Sequence, residues 1–136
     1  MNVLACIKRV PATGARIVLT EDEQEIDTRH LGFAISPHEE CGVEEAIRLV
    51  EQHGGTSTVL TLCPEAAIEQ LRFALAQGIN RAVLLATDDS DCDPVATARA
   101  IIAAEQAQQT EEGPLDVLFF GNEAADTGGY QDGILL

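Results

Sequence analysis

Short, continuous apolar runs alternate with helix-patterned segments along this chain, and that alternation narrows the possible folds most. NVLACI (residues 2–7), STVLTL (57–62), AVLLAT (82–87) and LDVLFFG (115–121) have the length and composition of buried strands. Between the first two, Ser36-Pro37-His38-Glu39 combines a cap residue, a proline at the first helical position and an acid three residues after the cap. Val43, Ala46, Ile47 and Val50 then recur at helical spacing, Glu44, Glu45, Arg48 and Glu51 take the other face, and Gly54-Gly55 end the element. Pro64 opens a second helix with an expected buried stripe of Ala67, Ile68, Leu71 and Leu75, closed by Gly78. Asp93-Pro94 start a third, expected to carry Val95, Ala98 and Ile102 inward, before Gly113-Pro114 break the chain.

Each helix is long enough to cross over between parallel strands, so the expected architecture is a mostly parallel α/β sheet with right-handed connections. AVLLAT is expected to be covered on both faces. Residues 1–136 read as a single α/β domain without repeat or linker. The pattern fixes pairing least over 9–35. There Pro11 to Ala15 form a turn, RIVL (16–19) is a short apolar run, 20–32 is a polar surface excursion and FAIS (33–36) is a short returning strand.

Charge excludes some functions. Eight Lys and Arg face 23 Asp and Glu, a formal net charge of −15, and Lys8 is the only lysine. Such a field repels nucleic acid and anionic membrane. No run approaches the roughly 18 apolar residues of a membrane span, and no signal peptide is expected, so the expected compartment is the cytoplasm, or an organelle interior after processing. Cys6, Cys41, Cys63 and Cys92 form no CxxC pair, so no zinc or iron–sulfur site is expected, and Cys6 reads as a small core residue. Asp88, Asp89, Asp91 and Asp93 lack EF-hand spacing and read as a strand-to-helix loop with Asp93 as cap. His30, His38 and His53 read as surface histidines, and Arg81 as structural with its charge outward.

In parallel sheets, ligands collect beyond the carboxyl ends of the strands. Four segments map there: Cys6 to Val10, Ser36 to Glu40, Leu62 to Glu65, and Gly121 to Gln131. Helix N-termini and glycine-rich backbone suit phosphate. Lys8 and Arg9 either offset phosphate charge or cover a helix end. No GxGxxG follows the first strand and no GxxxxGK[ST] occurs, so neither a classical dinucleotide site nor a P-loop is supported. By composition alone GNEAADTGGYQDG (121–133) reads as a frayed tail.

Taken in order, four segments resemble the beta subunit of electron transfer flavoproteins, the FixA group included. They are MNVLACIKRVPATGARIVLTEDEQEIDT (1–28), ISPHEECGVEEAIRLVEQHGG (35–55), CPEAAIEQLRFALAQGINRAVLLATDD (63–89) and GNEAADTGGYQDG. The resemblance is to the amino-terminal part of that family. It implies a three-layer, Rossmann-like sandwich of the adenine nucleotide alpha-hydrolase type. It implies an electron carrier component without bond-making chemistry, holding AMP or FAD and pairing with an FAD-bearing alpha subunit, with dehydrogenases or quinone reductases as further partners. Carried over by position, the cofactor is bordered by Cys6, Ser36, Pro37, His38, Glu39, Leu62, Gly121, Asn122, Glu123, Asp126, Thr127, Gly128, Gly129 and Gln131. Thr127, Gly128 and Gly129 would supply backbone N–H groups near phosphate.

The chain departs from the family pattern in three ways. Ser36 stands where asparagine is usual, and Asn122-Glu123 replace Lys-Gln, exchanging a positive charge near phosphate for a negative one. Family beta chains are nearly twice as long, so the helix after the nucleotide loop and the arm that crosses to the alpha subunit are expected to be missing. The sparse aromatics, four Phe and one Tyr, favour AMP or the adenosine end of FAD over an isoalloxazine ring. Two other readings compete: a small adenine-nucleotide-binding regulatory domain of stress-protein type, and a truncated scaffold that binds nothing.

Overall fold

The computed structural model describes residues 1–88 and 93–135, with the backbone alone for 109–112. Asp89, Asp91 and Cys92 of the acidic loop lie outside the described residues. Strand β1 (Asn2–Cys6) is followed by two-residue strands β2 (Val10–Pro11) and β3 (Phe33–Ala34) and by helix α1 (Pro37–His53). Then come β4 (Thr56–Cys63), a 3₁₀ turn (Glu65–Ala67), α2 (Ile68–Gln77), β5 (Arg81–Ala86), α3 (Pro94–Glu112), β6 (Val117–Phe119) and the short α4 (Asp132–Leu135). β5, β4, β1 and β6 form a parallel sheet in that order, and β2 pairs antiparallel with β3.

Pleating sends successive side chains of β1 to opposite faces, and each face has its own core. Val3 and Ala5 join Val59, Val43, Ala46 and Ile47 of α1, and Leu71 and Ala74 of α2. Leu4 and Cys6 join Leu60 and Ile101 of α3, with Leu118 and Phe120 packed alongside. The result is a three-layer α/β sandwich, with α1 and α2 on one side and α3 on the other.

α1 has the expected start. Ser36 Oγ accepts from the Glu39 N–H, the Glu39 carboxylate accepts from the Ser36 N–H, and Pro37 sits at the first position. α3 is capped by Asp93, whose Oδ1 accepts from the N–H groups of Val95 and Ala96 at 2.9 and 3.2 Å.

Several expectations fail in detail. The buried stripe of α2 is Ala67, Gln70, Leu71 and Ala74, while Ile68 and Leu75 are exposed. In α3, Ala98 and Ile101 are buried, and Val95 and Ile102 are exposed. In both helices the apolar residues outnumber the positions that face the sheet, so spacing alone selects the wrong members. β5 is an edge strand, and Ala82 and Ala86 are exposed rather than covered. Arg81 is not simply outward: its Nη1 is shielded from solvent. RIVL is not a ladder strand; it forms one arm of a hairpin whose single bridge joins Leu19 to Ile26.

Backbone at the turn after α1 is conformationally demanding. Gly55 has φ +121°, and a Cβ there would lie 1.9 Å from the Met1 carbonyl oxygen. Gly54 also has positive φ but nothing within 4 Å of such a Cβ. Gly55→Ala is expected to cost more than about 3 kcal/mol and Gly54→Ala about 1 kcal/mol, read by urea unfolding.

Candidate functional site

The order β5-β4-β1-β6 means the chain winds outward from β1 through β4 to β5, then returns to the far side of β1. α1 and α2 therefore cover one face and α3 the other, and the connections at the carboxyl ends of β1 and β6 diverge. Such a reversal opens a crevice. A cavity of about 580 Å³ occupies it, lined from β1 by Cys6, Ile7 and Lys8, from β4 by Leu60, Thr61 and Leu62, and from α3 by Pro94, Thr97 and Ile101. Phe120 and the segment after it supply the remaining wall, through to Ile134 of α4.

Of the residues expected at a site, Cys6, Glu39, Leu62, Gly121, Asn122, Glu123, Thr127, Gly129 and Gln131 line this cavity. Ser36, Pro37, His38, Asp126 and Gly128 do not. Ser36 is buried as the α1 cap, and Pro37 and His38 are exposed on the outer side of that turn. Asp126 instead holds Lys8, whose Nζ lies 3.0 and 2.9 Å from its two carboxylate oxygens. The sequence pattern missed the α3 wall (Pro94, Thr97 and Ile101), although Asp93-Pro94 marked a helix start at the same sheet edge. Tyr130 and Asp132, within the expected Gly121 to Asp132 segment, line the cavity as well.

Glu39 organises the site. It is 6% exposed, and its two carboxylate oxygens accept from the Lys8 and Ser36 N–H groups at 3.1 and 3.2 Å. Gly121 packs so close that a Cβ there would lie 2.6 Å from Glu39 Cγ. One side chain thus joins the end of β1, the start of α1 and the exit of β6. Burial pushes its pKa up to about 7 against the opposing pull of these hydrogen bonds and of Lys8. Burial, then the Glu39 and Asp132 carboxylates, push the Cys6 thiol up to about 12, so Cys6 is an inert thiol in the wall. Asp132 is also raised, by burial, with Lys8 opposing.

Two of the helix starts at this edge are already served by their own side chains, and the third, the 3₁₀ turn leading into α2, has no side-chain cap but lies outside the cavity wall. Glu39 and Ser36 close the first turn of α1, and Asp93 that of α3. An anion in the cavity must therefore rely on Lys8 and on backbone N–H groups of the 121–131 segment. That segment is tightly turned: Gly128 has φ +60° and donates its N–H to the Ala124 carbonyl at 2.9 Å, while Tyr130 adopts φ +55°. Tyr130 donates to Glu123, which raises the phenol pKa, with burial and the Glu123 charge adding to the shift.

The raised Glu39 pKa has a stability consequence. The folded chain holds this proton to about pH 7, whereas an unfolded chain releases it near 4.5. Folded protein binds more protons between those values, so the Glu39 contribution to stability falls as pH rises through that window and is flat above it. Glu39→Gln removes the effect. Between pH 5 and pH 8 the stability difference is expected to move in the variant's favour by about 2 kcal/mol, measured by urea unfolding of both proteins at each pH.

The family model for the electron transfer flavoprotein domain matches residues 25–131. The electron transfer flavoprotein subunit beta of Bacillus subtilis is 34% identical over 131 residues, covering 96% of this chain and 49% of the relative. Protein FixA of Azorhizobium caulinodans is 36% identical over 128 residues, with 93% and 45% covered. The electron transfer flavoprotein subunit beta of Bradyrhizobium diazoefficiens is 30% identical over 139 residues, with 100% and 53% covered. The chain spans about half the length of the curated relatives it matches. With a family model spanning most of its length and a doubly wound sheet carrying the crevice, this chain belongs to the electron transfer flavoprotein domain family.

Proposed function

We propose that this chain is the nucleotide-holding part of a beta-type electron transfer flavoprotein, taking AMP or the adenosine end of FAD and pairing with an FAD-bearing alpha-type subunit. The observation that carries this reading is the cavity at the sheet's reversal point, wrapped by the 121–133 segment. Its lining suits an adenosine. Leu60, Leu62, Ile101 and Phe120 offer apolar wall for a planar base, and Thr61, Thr97, Asn122 and Gln131 offer polar groups for its edge and ribose.

Phosphate would face Lys8 and the backbone at Gly129; contrary to the expectation for Thr127 and Gly128, their N–H groups already donate to Asp126 Oδ1 and to the Ala124 carbonyl. Lys8 is engaged by Asp126, so phosphate competes with a carboxylate for this cation. Glu39, Glu123 and Asp132 are the other charged side chains on the wall. A bound phosphate would raise the pKa of the buried Glu39 further, which favours proton uptake on binding.

FAD would supply electron-transfer chemistry where it is the ligand; AMP would supply none and would act as a brace. The chain's own residues bind, orient and exclude water. No nucleophile–base pair is assigned to them, and the reading is of a carrier component rather than an enzyme. Among the described residues, no helix is long and apolar enough to cross a membrane.

The test begins with the purified chain, denatured so that released small molecules are identified by absorbance and mass. One equivalent of AMP or FAD is expected. Titration calorimetry then compares ligands: Lys8→Ala is expected to weaken AMP about tenfold or more while leaving adenosine within about twofold. Gly121→Ala is expected to weaken both, because its Cβ collides with Glu39. If the chain releases no nucleotide and binds neither AMP nor FAD, the assignment of the cavity fails.

A further inference from the structure

Residues 16–27 form a hairpin that the cavity does not use. The Asp27 N–H donates to the Val18 carbonyl at 2.7 Å, the Thr20 N–H donates to the Glu25 carbonyl at 2.9 Å, and Leu19 bridges Ile26 between them. Glu23, at φ +57°, turns the tip, and the Thr20 hydroxyl donates to Asp22. The hairpin is rooted in the β2–β3 pair, with the Ala12 N–H donating to the Gly32 carbonyl. Arg9 stacks over the Phe33 ring 3.3 Å from its centroid, and Gln70 donates to the Phe33 carbonyl, fixing that root to the body.

This anchored element leaves its apolar residues in solvent. Ile17, Val18, Leu19 and Ile26 are 50%, 47%, 52% and 40% exposed. Leu19 and Ile26, opposed across the bridge, share a face. Single exposed apolar residues are ordinary, but one short hairpin carries four, two of them opposed on one face. Around them, Glu21, Asp22, Glu23, Glu25 and Asp27 stand against Arg16 and Arg29. Asp27 is paired with Arg29, which leaves the tip carboxylates as the dominant charge.

Two facts indicate what would cover this patch. A second copy carries the same acidic tip and the same net charge of −15, so self-pairing is opposed by repulsion. The hairpin also lies in the connection from the carboxyl end of β1 to the start of α1, the two elements that supply Cys6 and Glu39 to the cavity wall. We propose that hairpin 16–27 is the docking element for the alpha-type subunit, inserting Leu19 and Ile26 into an apolar cleft rimmed by lysine and arginine. The proposal rests on the pairing read above.

The experiment uses the full chain and a purified electron transfer flavoprotein alpha subunit from the same genome, with binding followed by surface plasmon resonance at low and high salt. Leu19→Asp with Ile26→Asp is expected to weaken the complex by about tenfold or more, chiefly through faster dissociation. Glu21→Gln, Glu23→Gln and Glu25→Gln together leave the apolar face intact; they are expected to slow association about threefold or more at low salt and to flatten its salt dependence. Both variants should keep the parent chain's unfolding midpoint and nucleotide content, since every changed side chain is exposed. If the wild-type complex forms and neither variant changes it, the hairpin assignment is overturned while the pairing stands. Absence of any wild-type complex overturns the pairing and the hairpin assignment together. A wild-type homodimer in sedimentation, lost in the Leu19→Asp and Ile26→Asp variant, assigns the patch to a second copy and also overturns the proposal.

Discussion

The direction of winding reverses at β1, and most of what this chain can do follows from that. A parallel strand in the middle of a sheet must be covered on both faces, because its backbone partners lie on either side and its side chains point both ways. β1 meets this with Val3 and Ala5 on the α1–α2 side and Leu4 and Cys6 on the α3 side. Once α1 and α2 occupy one face, the chain reaches the other only by crossing back past β1 to β6. The crevice at the carboxyl edge is therefore a product of topology, and its walls come from three separate connections.

Three loops meeting at one edge need something to hold them, and a carboxyl group does so here. A buried carboxylate is costly in isolation, yet Glu39 accepts from two backbone N–H groups and sits at the positive end of α1. Burial still wins, which leaves this group half-protonated near neutrality. The same side chain excludes a Cβ at position 121, so the glycine that opens the 121–133 segment is a steric requirement of the carboxyl that joins the loops. The fold's own capping thus fills a helix N-terminus that would otherwise attract an anion, and leaves Lys8 as the cation of the cavity wall.

The sheet, its helices and the Ser36 and Asp93 caps were legible in the sequence because each depends on local chemistry: apolar run length, cap identity, and glycine or proline at the ends. Which apolar residue of a helix faces the sheet was less so. Ile68, Leu75, Val95 and Ile102 look as buried by spacing as Leu71 and Ile101, and only the placement of β5 at an edge and of α3 over the crevice separates them. The site shows the same division. Glycine-rich chemistry marked the 121–131 segment, but nothing local brings Thr97 or Ile101 to it. The Lys8–Asp126 pair joins residues 118 positions apart, a contact created by the sheet reversal alone.

Charge links the cavity to the rest of the surface. With 23 acids against eight Lys and Arg, every anion that enters does so against the mean field of the molecule. Lys8 offsets that field locally, but Asp126 already shares it. A nucleotide can be retained in such a site only if apolar contact with the base and backbone donors supply most of the affinity, or if a cationic partner lowers the field from outside. The second route couples occupancy to assembly. A lysine- and arginine-rimmed surface brought to the edge that carries the cavity would stabilise a phosphate there and would reduce the pressure on Glu39 to hold a proton. Under the proposed pairing, ligand and partner would then strengthen each other with no change in the sheet, because both would act on the carboxylates at one end of β1.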